Sequence, residues 1–345
     1  MRPKKVIIKD RTRGLLYTEN GDAEDPADIQ WEFVNGGLDA DHKGPAMTTI
    51  LVTNYGHVYL GYLVPAQAVW NEIWYASSIG GVFTKLIDTD WIKTALGVPS
   101  GYVVELDAVG INTLGDDMLA FAVLKTQIGW PNTDEGYIYT GNASGFTQGA
   151  HLTDVNQSRG SLSYGAGLWV LTGQKKSIFW SPALWTINGG TISAPIDLTA
   201  GSAESTLHVR AGSSGTLYVV HNEVLDYVTG NGAAIDETGH SSVAFATNDN
   251  YFAVDPTGQY LMAVDNSVTT PYKSSDYGYT WSSLGASLPI GTKAFCWAKY
   301  TTQRWCGAGG AVWFTEDFGT TWVDMSGNLG YVCPLPNIDY IQVIE

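Results

Sequence analysis

The side chains able to do chemistry here are 34 Asp and Glu, six His and three Cys. Two carboxylates about 5 to 10 Å apart could hydrolyse a glycosidic bond. Asp116-Asp117 and Asp134-Glu135 are adjacent acid pairs, but each sits in an apparent loop and reads as a solvated turn. The histidines at 42, 57, 151, 208, 221 and 240 keep no His-x-x-x-His spacing, and the cysteines form no Cys-x-x-Cys pair. The stretch from Glu19 to Asp28, with Asp22, Glu24 and Asp25, could hold calcium through oxygen ligands; a hydrated loop is the simpler reading. Asp39-Ala-Asp41-His-Lys43-Gly44 begins like an EF-hand loop, yet Lys43 occupies a ligand position and Ile50 stands where the closing Glu belongs. No Gly-x-Ser-x-Gly elbow and no phosphate-cradling loop are present. These readings assign no catalytic residue, no metal and no cofactor.

Two further acids stand inside a repeat. Tyr272-Lys-Ser-Ser-Asp-Tyr-Gly-Tyr-Thr-Trp281 and Trp313-Phe-Thr-Glu-Asp-Phe-Gly-Thr-Thr-Trp322 agree at aromatic, Ser/Thr, Asp, Gly, Thr and Trp, each at the same offset. A carboxylate so placed can accept hydrogen bonds from its own turn, and glycine takes the positive φ that the turn requires.

The segments resemble the Asp-box, or BNR, repeat found in sialidases, sortilin-type receptors and photosystem assembly factors. Ser274, Asp276, Gly278, Thr280 and Trp281 fit the first copy; Thr315, Asp317, Gly319, Thr321 and Trp322 fit the second. The resemblance implies a β-propeller in which the box is a structural hairpin turn away from the ligand face, its Trp packed between neighbouring sheets. A sialidase would also need three converging arginines, a Tyr nucleophile with a Glu partner, and an acid. Arg11-Thr-Arg13-Gly lacks the Phe/Tyr-Arg-Ile-Pro motif of that family, and Arg159, Arg210 and Arg304 read as surface residues.

Weaker anchors, each an aromatic followed by Ser or Thr and a turn residue, bring the series to positions 17, 75, 139, 179, 227, 272 and 313. Their mean step is about 49 residues, near the size of a four-stranded blade. Seven anchors imply seven blades, although six or eight fit the degenerate copies. Upstream lie short apolar strands, and Asp255-Pro-Thr-Gly258 marks a hairpin between two of them. One segment, Thr89 to Gly97 followed by Pro99, has helix-capping residues; we read 84–99 as a helical insertion between blades.

Composition agrees. Forty glycines in 345 residues exceed the usual level of about 7%, and charged residues at 15% fall short of the usual level of about 25%. With 44% hydrophobic residues, disorder is excluded. The Ala, Glu, Lys and Leu bias of helical bundles is missing. A net charge of -16 repels phosphate backbones and argues against nucleic acid. No apolar run reaches the ~18 residues of a membrane helix, and the first residues do not read as a secretory signal.

Charge is uneven. Residues 1–13 carry Arg2, Lys4, Lys5, Lys9, Arg11 and Arg13 against Asp10, a net +5 that leaves -21 on the rest. Such an arm could dock on an acidic neighbour, such as another copy of the chain, or be an edge strand Val6-Ile7-Ile8 flanked by gatekeeper charges. Val6-Ile7-Ile8 and Tyr340-Ile-Gln-Val-Ile344 are left over at opposite ends, and pairing one terminus into the blade of the other would fasten the ring. Cys296 and Cys306 could face each other across a hairpin, though buried free thiols are simpler, and Cys333 has no evident partner. Trp70, Trp74, Trp130, Trp169, Trp180 and Trp185 exceed what the anchors need; such rings stack on sugars, anchor interfaces or fill seams.

The sequence therefore reads as one all-β domain over 1–345, a seven-bladed propeller. The expected role is a non-enzymatic interaction scaffold in an extracellular assembly, foremost a bacteriophage particle, with protein subunits as partners. The alternative is a carbohydrate-active propeller, either a lectin-like glycan binder or a glycoside hydrolase, with its site at the central mouth.

Overall fold

The computed structural model describes every residue except 35, 39–48, 54, 64–70, 99–101, 113–117, 128–134, 154–161, 166–167, 175–181, 189–190, 193–195, 198–207, 212–216, 222–223, 230–233, 237–251, 265–270, 285–287, 289–291, 299–300 and 345. Short β-branched and aromatic runs between glycine turns form antiparallel strands. In the first sheet are β1 (Val6–Asp10), β2 (Gly14–Thr18) and β3 (Glu32–Phe33), with a short 3-10 turn at Pro26–Asp28 before β3. The second holds β4 (Thr49–Val52), β5 (Val58–Leu63), β6 (Asn71–Ala76) and β7 (Thr84–Ile87), and helix α1 (Thr89–Leu96) follows it. The third holds β8 (Tyr102–Asn112), β9 (Met118–Gln127), β10 (Glu135–Asn142) and β11 (Gly145–Leu152). The fourth holds β12 (Leu162–Gly165), β13 (Leu168–Gln174), β14 (Pro182–Asn188), β15 (Thr191–Ile192) and β16 (Ile196–Asp197). Next come β17 (His208–Ala211), β18 (Leu217–His221), β19 (Val224–Thr229) and β20 (Ala234–Asp236) in the fifth sheet. The sixth has β21 (Phe252–Val254), β22 (Leu261–Val264), β23 (Pro271–Ser274) and β24 (Ser282–Ser283). Last are β25 (Ala294–Trp297), β26 (Trp305–Ala308), β27 (Val312–Thr315) and β28 (Val323–Asp324), then α2 (Leu329–Val332) and β29 (Ile338–Val343).

The described strands thus make seven antiparallel sheets: five follow chain order, the first begins with β29, and in the fourth β16 also pairs with β14. Their leading strands touch in succession, β4 to β8, β12, β17, β21, β25 and β29, which sets them around a centre. Apolar seams lock neighbours together: Ile7, Leu15, Val58 and Leu60 join the first two sheets. Tyr59, Ile73, Val104 and Phe121 join the second and third. Leu261, Phe252 and Tyr218 join the fifth and sixth. The fold is an all-β propeller.

Ring closure corrects the edge-strand reading of Val6-Ile7-Ile8. Strand β29 pairs with β1 over Val6↔Val343 to Asp10↔Ile338, so the first sheet runs β29-β1-β2-β3 with β1 inside it. Val6, Ile7 and Ile8 are wholly buried. An edge needs a free row of backbone groups, and here β29 occupies it.

Alternation of strand direction fixes two faces. Turns from first to second and third to fourth strands share one face, as Tyr277 N donating to Gln259 O at 3.1 Å and Phe318 N to Gln303 O at 2.9 Å illustrate. The other connections share the opposite face, where Arg11 N donates to Asn337 O at 3.0 Å. Helix α1 follows β7 and is capped by Asp88, not by the carboxylate inside the segment that the sequence marks. Asp88 Oδ1 accepts from Trp91 N at 2.8 Å, and Gly97 ends the helix at φ 58°. Pro99 lies outside the described residues.

Candidate functional site

Both repeat turns join third to fourth strands, and their geometry repeats atom by atom. Ser274 Oγ donates to Asp276 Oδ1 at 2.7 Å and accepts from Gly278 N at 2.9 Å. Thr280 gives its N–H to Oδ1 at 2.9 Å and its hydroxyl to Oδ2 at 2.6 Å. In the second copy Thr315 Oγ1 donates to Asp317 Oδ1 at 2.7 Å and accepts from Gly319 N at 3.0 Å. Thr320 N and Thr321 N reach the same Oδ1 at 3.0 and 2.8 Å, and the Thr321 hydroxyl reaches Oδ2 at 2.7 Å. Burial would raise both carboxyls, but these hydrogen bonds outweigh it and hold Asp276 and Asp317 below the usual carboxylate range.

Glycine takes φ 85° at Gly278 and 80° at Gly319. The residue before each is also left-handed, Tyr277 at 62° and Phe318 at 52°. That strain is costly for an aromatic residue. It is offset by the neighbouring hairpin, whose Gln259 or Gln303 carbonyl takes the aromatic's N–H. The sequence did not announce this contact, because it runs through main chain. The box Trp residues lie in seams: Trp281 packs on the cluster of Tyr218 and Leu261, and Trp322 on that of Met262 and Leu284.

The chain has the β-propeller fold, and two of its turns share one Ser/Thr–Asp–Gly hydrogen-bond pattern. No protein-family model matches it, and no curated protein does. Among solved structures, a Bacteroides fragilis protein, assigned without proof as a 6-phosphogluconolactonase, aligns at TM-score 0.53 and 10% identity over 99% of this chain and 98% of that one. A Hadza microbial sialidase aligns at TM-score 0.48 and 12% identity over 81% of this chain and 66% of that one. A Niastella koreensis GH74 enzyme aligns at TM-score 0.34 and 10% identity over 93% of this chain, which spans about half, 53%, of the enzyme. The alignment at TM-score 0.53, with 10% identity, shows a shared fold alone.

Within the propeller, the weaker anchors Tyr17, Tyr75, Tyr139 and Tyr227 lie on the third strands β2, β6, β10 and β19. Position 179 lies outside the described residues; in that sheet the third strand is β14, which begins at Pro182 and carries Trp185. Trp169 and Trp185 are buried in the seam of the third and fourth sheets, and Trp74 packs partly buried in the first seam. Trp70, Trp130 and Trp180 lie outside the described residues.

The basic segment 1–13 makes contacts within its own chain. Arg2 donates to the Ala23 and Glu24 carbonyls, and Lys5 pairs with Glu19 at 3.3 Å. Lys9 and Arg11 meet Asp339 at 3.7 and 3.0 Å. Lys4 has a partner too. Asp10 is wholly buried and accepts from Thr12 N, Arg13 N and Asn337 N at 2.9, 3.0 and 2.7 Å, bonds that hold its carboxyl low despite burial. Burial, then the Asp10 charge, pushes the Cys333 thiol up to about 11. Cys296 and Cys306 stand opposite in register, both buried and not joined by a disulfide.

Arg304 belongs to the box face, bonded to the Met1 carbonyl, lying over the Phe314 ring at 5.3 Å and near Glu316. Arg11 and Arg13 turn at the opposite face, so these arginines do not converge. Arg159 lies outside the described residues, as do Asp116-Asp117, Asp134 and the loop 39–44. In the acidic stretch, Asp25 Oδ1 caps the 3-10 turn through Ala27 N at 2.9 Å. Among the described residues no set of three His, Cys, Asp or Glu side chains could hold a metal ion, and no helix is long and apolar enough to cross a membrane. In the third sheet Tyr137 donates to Glu135 and stacks on His151 at 4.6 Å.

Proposed function

We propose that this chain is a seven-bladed recognition propeller that binds without cutting, and that its ligand is a glycan. The seven sheets of described strands and the closing β29–β1 pair support the blade count. One observation supports the binding reading: among the described residues, the repeat-turn acids and two of the arginines are engaged within the fold. The box carboxylates are filled by their own turns, and Arg11 and Arg304 are held on opposite faces. A hydroxyl-rich, uncharged ligand suits a disk of net charge -16 whose rim sets rings beside carboxylates, Tyr17 with Glu32 at 3.3 Å and Tyr137 with Glu135.

A protein partner is the second reading, favoured by Tyr331 and Leu335, which are 89% and 95% exposed on the face opposite the boxes. The bacteriophage-particle expectation rests on composition, and the fold adds nothing to it. Labelled protein on a printed glycan array tests the first reading, followed by chromatography of the bound oligosaccharides after prolonged incubation. We expect neutral glycans to be retained and recovered intact. Shortened products would overturn the non-cutting half, and an array without signal would overturn the glycan half.

A further inference from the structure

At the outer rim of the seam between the first and second sheets, Tyr17, Phe33, Gly36, Ile79, Gly80 and Gly81 border a recess of about 200 Å³. At ~30 Å³ per water this is room for about six waters, the scale of one sugar ring.

Its wall is a degenerate box. The turn from Ser77 to Val82 joins β6 to β7 as the true boxes join β23 to β24 and β27 to β28. Ser78 replaces the Asp, Phe83 replaces the Trp, and Gly80 keeps the glycine. In the true boxes that glycine answers a backbone demand, φ 85° and 80°. Gly80 is not among the positive-φ glycines, so backbone conformation does not require it. A Cβ at Gly80 would stand 3.3 Å from Tyr17 Oη on the other sheet, so a larger side chain there would press on the phenol that borders the recess.

The rest is backbone and ring. Gly36 and Gly81 approach so closely that a Cβ on Gly36 would meet Gly81 O at 2.7 Å, and Phe83 N donates to Gly36 O at 2.9 Å, stitching the two sheets. Tyr17 donates its phenol to Glu32 Oε2 at 3.3 Å. Burial, then the Glu32 and Glu19 charges, raises that phenol, which keeps it a neutral donor.

We propose that this rim recess binds one neutral pyranose, as a terminal residue of a glycan, with Tyr17 and Glu32 hydrogen-bonding its hydroxyls. The proposal rests on the glycan reading and gives it a site away from the central mouth. Glu32, bonded to Tyr17 at the border of the recess, accepts hydroxyl hydrogens, Tyr17 and Phe33 supply apolar contact for the sugar's C–H groups, and the Glu32 charge repels a carboxylated sugar.

The test titrates the full chain with methyl glycosides of galactose, glucose, mannose and fucose, and with a methyl sialoside, by saturation-transfer NMR and calorimetry. We expect a neutral glycoside to bind and the sialoside to fail. Gly80→Val should weaken binding at least tenfold. Tyr17→Phe with Glu32→Gln, which changes only polar atoms, should do the same if the valine variant does not fold. Unchanged affinity in a folded variant overturns the recess while the glycan reading stands. No binding by the glycosides or the array overturns both.

Discussion

Asp317 takes four hydrogen bonds from its own turn at 2.7 to 3.0 Å, and Asp276 takes three at 2.6 to 2.9 Å. Removing such an acceptor strands several donors, a loss of about 1–3 kcal/mol for a partly buried group. Asp317→Ala and Asp276→Ala should each lower stability by that amount in urea denaturation at neutral pH. The sign of the pH effect follows from the lowered carboxyls. Each folded-state value lies below the unfolded one of about 3.9, so each acid contributes stability that is present above about pH 4 and lost as pH falls toward the folded value. The double Asn variant should begin less stable at neutral pH and lose less on acidification than the parent. Parallel acid limbs in the two proteins would remove these carboxylates from the proton linkage. Both acids were legible in the sequence because every partner lies within four residues of the carboxylate. Asp88 was missed as a cap since it stands one residue before the segment whose pattern marks a helix.

Turns were read better than their supports. The anchors at Tyr17, Tyr75, Tyr139, Tyr227, Tyr272 and Trp313 fall on third strands, because an aromatic followed by Ser or Thr and a turn residue is a local pattern. In the fourth sheet two tryptophans stand five residues apart, and only the strand boundary at Pro182 selects Trp185. The main-chain bonds to the Gln259 and Gln303 carbonyls, and a recess assembled from residues 17, 33, 36 and 80, join segments distant in sequence and carry no periodicity. The glycines of these turns make a prediction about elements. Gly97 ends α1 at φ 58° with open space where a Cβ would go, so Gly97→Ala should cost the left-handed penalty alone, about 1–2 kcal/mol. Gly319, at φ 80°, would place a Cβ 2.5 Å from Leu284 Cδ2 inside a packed seam. There the same penalty is joined by overpacking of about 1–3 kcal/mol. Thermal denaturation of the two variants should rank them in that order, and equal shifts would mean that the seam yields freely.

Strand β1 stays off the edge of its sheet only while the last strand is seated beside it. Strand β29 takes that place from the far end of the chain, and the apolar residues it contributes, Ile338, Ile341 and Val343, are almost wholly buried among Val6, Ile8, Ala308 and Cys333. At about 1.5–3 kcal/mol per buried aliphatic side chain, they supply roughly 5–9 kcal/mol. That is comparable to the entire net stability of an ordinary domain, about 5–15 kcal/mol. Loss of β29 would also expose the inward side of β1, whose Val6, Ile7 and Ile8 form an apolar strand suited to pairing with another chain. A chain ending at Asn337 should therefore lose its cooperative unfolding transition and run as soluble oligomers in size-exclusion chromatography with light scattering. A synthetic peptide covering residues 337–345 should restore a monomer when added in excess, because the ladder from Val6↔Val343 to Asp10↔Ile338 needs no covalent link. A truncated chain that remains monomeric, with an unchanged midpoint, would show that the seams hold the disk without their clasp.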